Sequence, residues 1–148
     1  MVDVFHHYHS SIIGVEEIAR EDSKSDGVIA GREWEDHLVK LSGIVEKPEP
    51  AAAPSNLGVV GRYILKPSIF NHIRALKPGA GGEFQLTDAI QLLLQNAQVL
   101  ALKYKGARFD CGSKFGYLRA TVDFALRHPE VGADSKRYLQ DRLRSQLA

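Results

Sequence analysis

Residues 11–18, SIIGVEEI, are an apolar run that closes on two carboxylates and an isoleucine. A short, branched run of this kind reads as a strand buried on both faces. Such a strand needs parallel neighbours and helices covering both sides, which places the chain among α/β sheets. Little upstream sequence can supply those layers. Only residues 1–10 precede it, and in 2–8 Val2, Phe5 and Tyr8 recur at helical spacing, so the chain reads as beginning in the middle of a fold.

The remaining elements fit a mixed sheet. After a polar loop, AREDSKSD, two β-like runs, GVIAGREW and HLVKLSGIVEK, are predicted to form a hairpin. A connector, PEPAAAPS, leads to a third strand, NLGVVGRYIL, and then to a helix in KPSIFNHIRAL with Pro67 expected in its first turn. KPGAGGEFQLTDAIQLLLQNAQ is a glycine loop opening into a helix striped by Leu86, Ile90, Leu93 and Leu94. VLALKYKG is a further strand. A helix is expected over residues 113–128, with Phe115, Leu118, Val122 and Ala125 on one face and Pro129 and Gly132 as its stop. Leu139, Leu143 and Leu147 then stripe a terminal amphipathic helix. Hairpins mixed with strand–helix alternation define the class: α/β, a Rossmann-like sandwich with a mixed β-sheet flanked by helices.

Charge narrows the partners. Among 148 residues, 19 basic and 18 acidic side chains leave a net charge of +1, so no global field favours nucleic acid or an anionic membrane. Any anion site must be local. No apolar run reaches the roughly 18 residues of a membrane span, and the lone Cys111 excludes an internal disulfide framework and fits a reducing compartment. A cytoplasmic protein is expected.

Several residues invite chemistry. GAGGE lacks the Gly-Lys-Ser/Thr of a phosphate loop and the spacing of the dinucleotide fingerprint. Loop geometry is the plainer reading, although amides at a helix start hold anions, and Glu83 suits a first turn. His6, His7 and His9 point in different directions on a helix and make a poor metal set. Cys111 has no histidine partner nearby and reads as packing at a turn. Asp110, at the end of an apolar run and before a helix, suits either an ordinary cap or a hard divalent cation. Glu46 and Lys47 adjoin Pro48 at a strand end. Consecutive strand residues point to opposite faces, so the two serve one ligand only at a terminus or bend, and Pro48 gives a reason for one.

GIVEKP, APSNLGVVGRYIL, PGAGGEFQLTDAI, DCGSKFGYLRA and the initial SIIGVEEI together carry a resemblance. In this order and spacing they resemble the bacterial UTP:glucose-1-phosphate uridylyltransferases, over almost the whole chain. Members of that family are about twice as long, and their N-terminal half carries the glycine-rich nucleotide loop, the uracil pocket and a second metal-binding aspartate. The resemblance therefore implies that residues 1–148 are the C-terminal, sugar-binding portion of a nucleotidyltransferase domain, inactive in isolation.

The implied reaction joins glucose 1-phosphate to UTP, giving UDP-glucose and pyrophosphate, with Mg2+ as cofactor. By the same resemblance Lys47 contacts the sugar phosphate, Glu46 accepts hydrogen bonds from glucose hydroxyls, and Asp110 holds magnesium. Gly27 brings bare backbone to the sugar, although Asp26 stands where relatives more often carry tyrosine. Val59 and Gly61 line the sugar pocket, and Glu83 and Lys114 support it from helix starts. A homodimer or tetramer is implied. The alternative is a non-catalytic domain that keeps the fold for oligomerisation or regulation.

Overall fold

The computed structural model describes residues 1–79 and 82–146, and the chain divides into two compact units, Met1–Lys105 and Gly106–Ala148. The first unit opens with helix α1 (Val2–Tyr8) and strand β1 (Ser11–Glu17), then a 3-10 turn at Arg20–Lys24. The ribbon β2 (Gly27–Glu35) and β3 (Leu38–Glu46) follows, with a second 3-10 turn at Pro50–Ala52. β4 (Leu57–Ile64), helices α2 (Ile69–Ala75) and α3 (Leu86–Leu93), and β5 (Val99–Lys103) complete it.

β1 is the hub. It pairs antiparallel with β4 and parallel with β5, and Ile12 and Ile13, which face opposite sides, are both fully buried. The two-sided burial expected of SIIGVEEI is present, and a parallel neighbour accompanies it. β2 pairs with β3 and meets β4 at Val28 and Gly58. β3 pairs with β5, so the pairings of this mixed sheet close on themselves.

Two glycines allow β4 to bend across β1. The β1–β4 register slips between Ile13 and Val15, and Gly61, within the matching stretch of β4, has a φ of 71° that glycine adopts without steric penalty. Opposite it, a β-carbon at Gly14 would stand 2.9 Å from Val60 Cγ2.

α3 closes the core. Ile90 and Leu93 of the expected stripe are buried against Ile29, Val39 and Ile44, while Leu86 and Leu94 pack at the margin. Gln91 Oε1 accepts the Ile44 backbone N–H at 2.8 Å, which fastens α3 to β3 near the end of the ribbon. Pro67 precedes the first turn expected for it: α2 starts at Ile69, and Ser68 is its N-cap. The reason is a preceding tight turn, with Ile69 N bonded to Lys66 O and Phe70 N to Pro67 O.

The second unit holds α4 (Lys114–Arg127) and α5 (Gly132–Gln146). Ser113 caps α4 by accepting the Gly116 N–H at 3.0 Å. Gly132 does not stop α4 as expected but opens α5. Its N–H reaches His128 O at 2.9 Å, and a β-carbon there would press on Leu126 O at 2.8 Å, so the tight link between helices requires glycine. Phe115 and Leu118, read as a packing face, are exposed, whereas Ala120 is buried. Leu147 of the terminal stripe lies outside the described residues.

Candidate functional site

The site begins where β3 ends. Glu46 is the last residue of the strand, and Lys47 adopts φ 43°, the left-handed region. That conformation is unfavourable for a residue with a β-carbon and is held here by its surroundings. The Lys47 N–H donates to Asp26 O at 3.2 Å, and Pro48 follows with its carbonyl fixed by the buried Ser23 Oγ at 3.0 Å. Arg20 secures the next segment through Pro50 O and Ala53 O. The polar loop read as AREDSKSD is thus a clamp on the strand end.

The turn has a chemical consequence. Glu46 and Lys47 line one cavity of about 470 Å³ with Ile44, Val45, Glu83, Gln85 and Asp88. That volume suits a small polar ligand. Lys47 Nζ stands 3.9 Å from Glu46 Oε1, at the limit of an ion pair. With the Lys47 side chain 55% exposed, such a pair contributes about 0–1 kcal/mol, so the ammonium is free to turn to an anion.

Glu46 and Val59 border the space over Gly27. Gly27 is the register partner of Glu46, and a β-carbon on it would lie 3.0 Å from Thr87 Cγ2, 3.2 Å from Glu46 Oε2 and 3.6 Å from Val59 Cγ2. Any larger residue would fill the space beside the carboxylate. Tyr63 of β4 is half-buried, and its phenol is pushed above its ordinary value of 10.0 by burial first, then by Glu46 and Asp26. It therefore stays a neutral hydroxyl across the physiological range. Gly61 has open space where a β-carbon would stand, and its φ of 71° serves the bend in β4.

Glu83 faces the cavity from the loop before α3. Its Oε2 accepts from Gln85 Nε2 at 2.9 Å, and its carbonyl from Gly79 N at 3.0 Å. Ala80 and Gly81 of the GAGGE loop lie outside the described residues. Asp110 and Lys114 belong to the second unit. Asp110 is not the helix cap: its Oδ1 accepts the Gly112 N–H at 2.9 Å in an Asx-turn, and Ser113 caps instead. A β-carbon at Gly116 would lie 1.8 Å from Asp110 O, so glycine there lets the Asp110 backbone rest on the first turn of α4. Cys111 is exposed rather than packed, because the turn directs it outward.

Among the described residues, no group of three or more His, Cys, Asp or Glu is placed to hold a metal. Asp110 fits one ligand of a hydrated magnesium ion and does not make a site by itself. No helix among them is long and apolar enough to cross a membrane.

Sequence reasoning passed over Gln85, Thr87, Asp88, Tyr63 and the Ser23 and Gln91 fastenings. Gln85, Thr87 and Asp88 stand in the quoted EFQLTDAI, and their polarity at the start of an otherwise apolar helix was the available signal.

The chain matches the Nucleotidyl transferase family over residues 1–126 and belongs to it. It is 44% identical to the UTP–glucose-1-phosphate uridylyltransferase of Streptococcus pneumoniae over 140 residues, covering 94% of this chain and 47% of the relative. It is 47% identical to the enzyme of the same name from Pseudomonas aeruginosa over 121 residues, covering 82% and 43%. The fold is similar to the crystal structure of a UDP-glucose pyrophosphorylase complexed with UDP-glucose, with a TM-score of 0.83 at 39% identity, over 86% of this chain and 49% of that one. The chain thus spans about half the length of the relatives it matches.

Proposed function

We propose that this chain is the sugar-phosphate-binding portion of a uridylyltransferase that makes UDP-glucose from glucose 1-phosphate and UTP. One observation carries the reading: Lys47, in the left-handed region at the end of β3, and Glu46 before it both line one cavity. Lys47 takes the sugar phosphate, and Glu46 accepts hydrogen bonds from ring hydroxyls. Gly27 and Val59 shape the wall beside Glu46, and Glu83 borders the mouth. Lys114, at the start of α4 in the second unit, enters this proposal through the family resemblance alone. The names of the relatives, over half their length, support the same assignment.

The chemistry asks little of a base. An oxygen of the sugar phosphate, already anionic near neutral pH, forms a bond to the α-phosphorus of UTP while the bond to the bridging oxygen breaks, and the electron pair leaves with pyrophosphate. Alignment and charge neutralisation are then the protein's contribution. Lys47 relieves repulsion between the two anionic reactants as a point charge. Magnesium, when bound, neutralises phosphate charge, and Asp110 offers it one carboxylate. Nucleotide recognition comes from the family's nucleotide-binding half, and a homo-oligomer working in the cytoplasm completes the proposal.

Calorimetry of the chain with glucose 1-phosphate, and an assay for UDP-glucose after adding a separately expressed nucleotide-binding half, test this reading. Binding with restored turnover is expected. Neither binding nor turnover would overturn it in favour of a non-catalytic domain that keeps the fold.

A further inference from the structure

Thr87 is the second residue of α3, between the cavity-lining Gln85 and Asp88. It is 4% exposed, and its Oγ1 is, among the described residues, the buried side-chain polar atom without a hydrogen-bond partner. A buried hydroxyl left in that state is unfavourable by roughly 1–3 kcal/mol. A helical threonine commonly relieves it by bonding the carbonyl four residues back. Here Glu83 O accepts from Gly79 N and takes no bond from Thr87. Valine has the same shape without the penalty, so fold stability alone gives no reason for a hydroxyl.

Its surroundings give one. The Thr87 methyl, not the hydroxyl, is turned to the bare backbone of Gly27, in the space that Glu46 Oε2 and Val59 also border. A single step about χ1 would bring Oγ1 to the place the methyl now holds, and threonine in a helix populates two χ1 wells.

We infer that Thr87 is a specificity residue for the hexose ring, whose hydroxyl gains its partner when a sugar 1-phosphate occupies the Glu46 cavity, turning over Gly27 to bond a ring hydroxyl. This rests on the reading of that cavity as a sugar-phosphate site. Thr87 reads the ring beside Glu46, while Lys47 holds the phosphate. A substrate reduced to its phosphate makes no use of it.

Calorimetry of the full chain with two probes, glucose 1-phosphate and inorganic phosphate, separates the roles. Thr87→Val should melt at or above the parent without ligand, bind inorganic phosphate as the parent does, and bind glucose 1-phosphate about tenfold more weakly. Thr87→Ser, which keeps the hydroxyl, should bind glucose 1-phosphate within about threefold of the parent. Equal binding of glucose 1-phosphate by Thr87→Val and the parent overturns the inference. So does a parallel loss for both probes with a lowered melting temperature, or an equal loss in Thr87→Ser. If the parent itself does not bind glucose 1-phosphate, the reading of the cavity fails and the inference falls with it; parental binding with an unaffected Thr87→Val sinks the inference alone.

Discussion

Gly27 and Glu46 face each other at the end of the β2–β3 ribbon, and a β-carbon on Gly27 would stand 3.2 Å from Glu46 Oε2. The space over the bare backbone of Gly27 is bordered by this carboxylate, Thr87 and Val59. A methyl at residue 27 occupies the approach to the carboxylate without removing any polar group.

Gly27→Ala is accordingly expected to weaken glucose 1-phosphate binding by about tenfold or more, with an overpacking penalty of roughly 1–3 kcal/mol on stability. Paired calorimetry and chemical denaturation check both. Unchanged affinity would remove Gly27 from the wall of the sugar site.

Lys47 separates backbone strain from charge. Its φ of 43° favours glycine, so Lys47→Gly should be more stable than Lys47→Ala by roughly 1 kcal/mol, although both lose the ammonium. In the protein complemented by its nucleotide-binding half, both should lower turnover about a hundredfold, the effect of losing ~3 kcal/mol of transition-state stabilisation. Turnover of Lys47→Ala within about threefold of the parent would defeat the assignment of the phosphate contact.

The strands and most helices were legible because each carries its own period. SIIGVEEI announced two-sided burial, and the ribbon and β4 followed from branched residues between turn signals. What one-dimensional spacing does not encode is the direction of a side chain at a bend. Pro48 marks a bend after Glu46, but the left-handed residue that makes it, Lys47, rests on Ser23, Arg20 and Asp26, each more than 20 residues away. Thr87 and Tyr63 were hidden for a similar reason. Their environment is created by strands that meet only in the fold. Gly132 misled because a glycine after a helix usually ends it, while here it admits a close return to Leu126.

Gln91 tests how far the site depends on the helix beneath it. Its Oε1 is the acceptor for the Ile44 N–H, two residues before Glu46. Gln91→Leu should destabilise the chain by roughly 1–3 kcal/mol, because a backbone donor loses its partner. Glucose 1-phosphate affinity should fall as well, since the end of β3 loosens. Denaturation with unchanged midpoint would show that the helix does not hold the strand.

Tyr63 supplies a pH signature. Burial, then Glu46 and Asp26, raise its phenol above the ordinary value of 10.0, so the folded chain keeps a proton that the unfolded chain releases. The associated stability is fully present below about pH 10 and declines as pH rises from there through the folded value. Tyr63→Phe removes the ionisable group, so its melting temperature should fall less steeply above pH 10 than that of the parent. Tyrosinate absorbance should lose a late-titrating component in the same variant. Tyr8, whose phenol is also raised, in this case by its hydrogen bond to Glu35 on the open surface, is the control: Tyr8→Phe should remove a late component without altering glucose 1-phosphate binding. Identical alkaline melting curves for the parent and Tyr63→Phe would show that the phenol does not feel the Glu46 carboxylate, and would detach Tyr63 from the site.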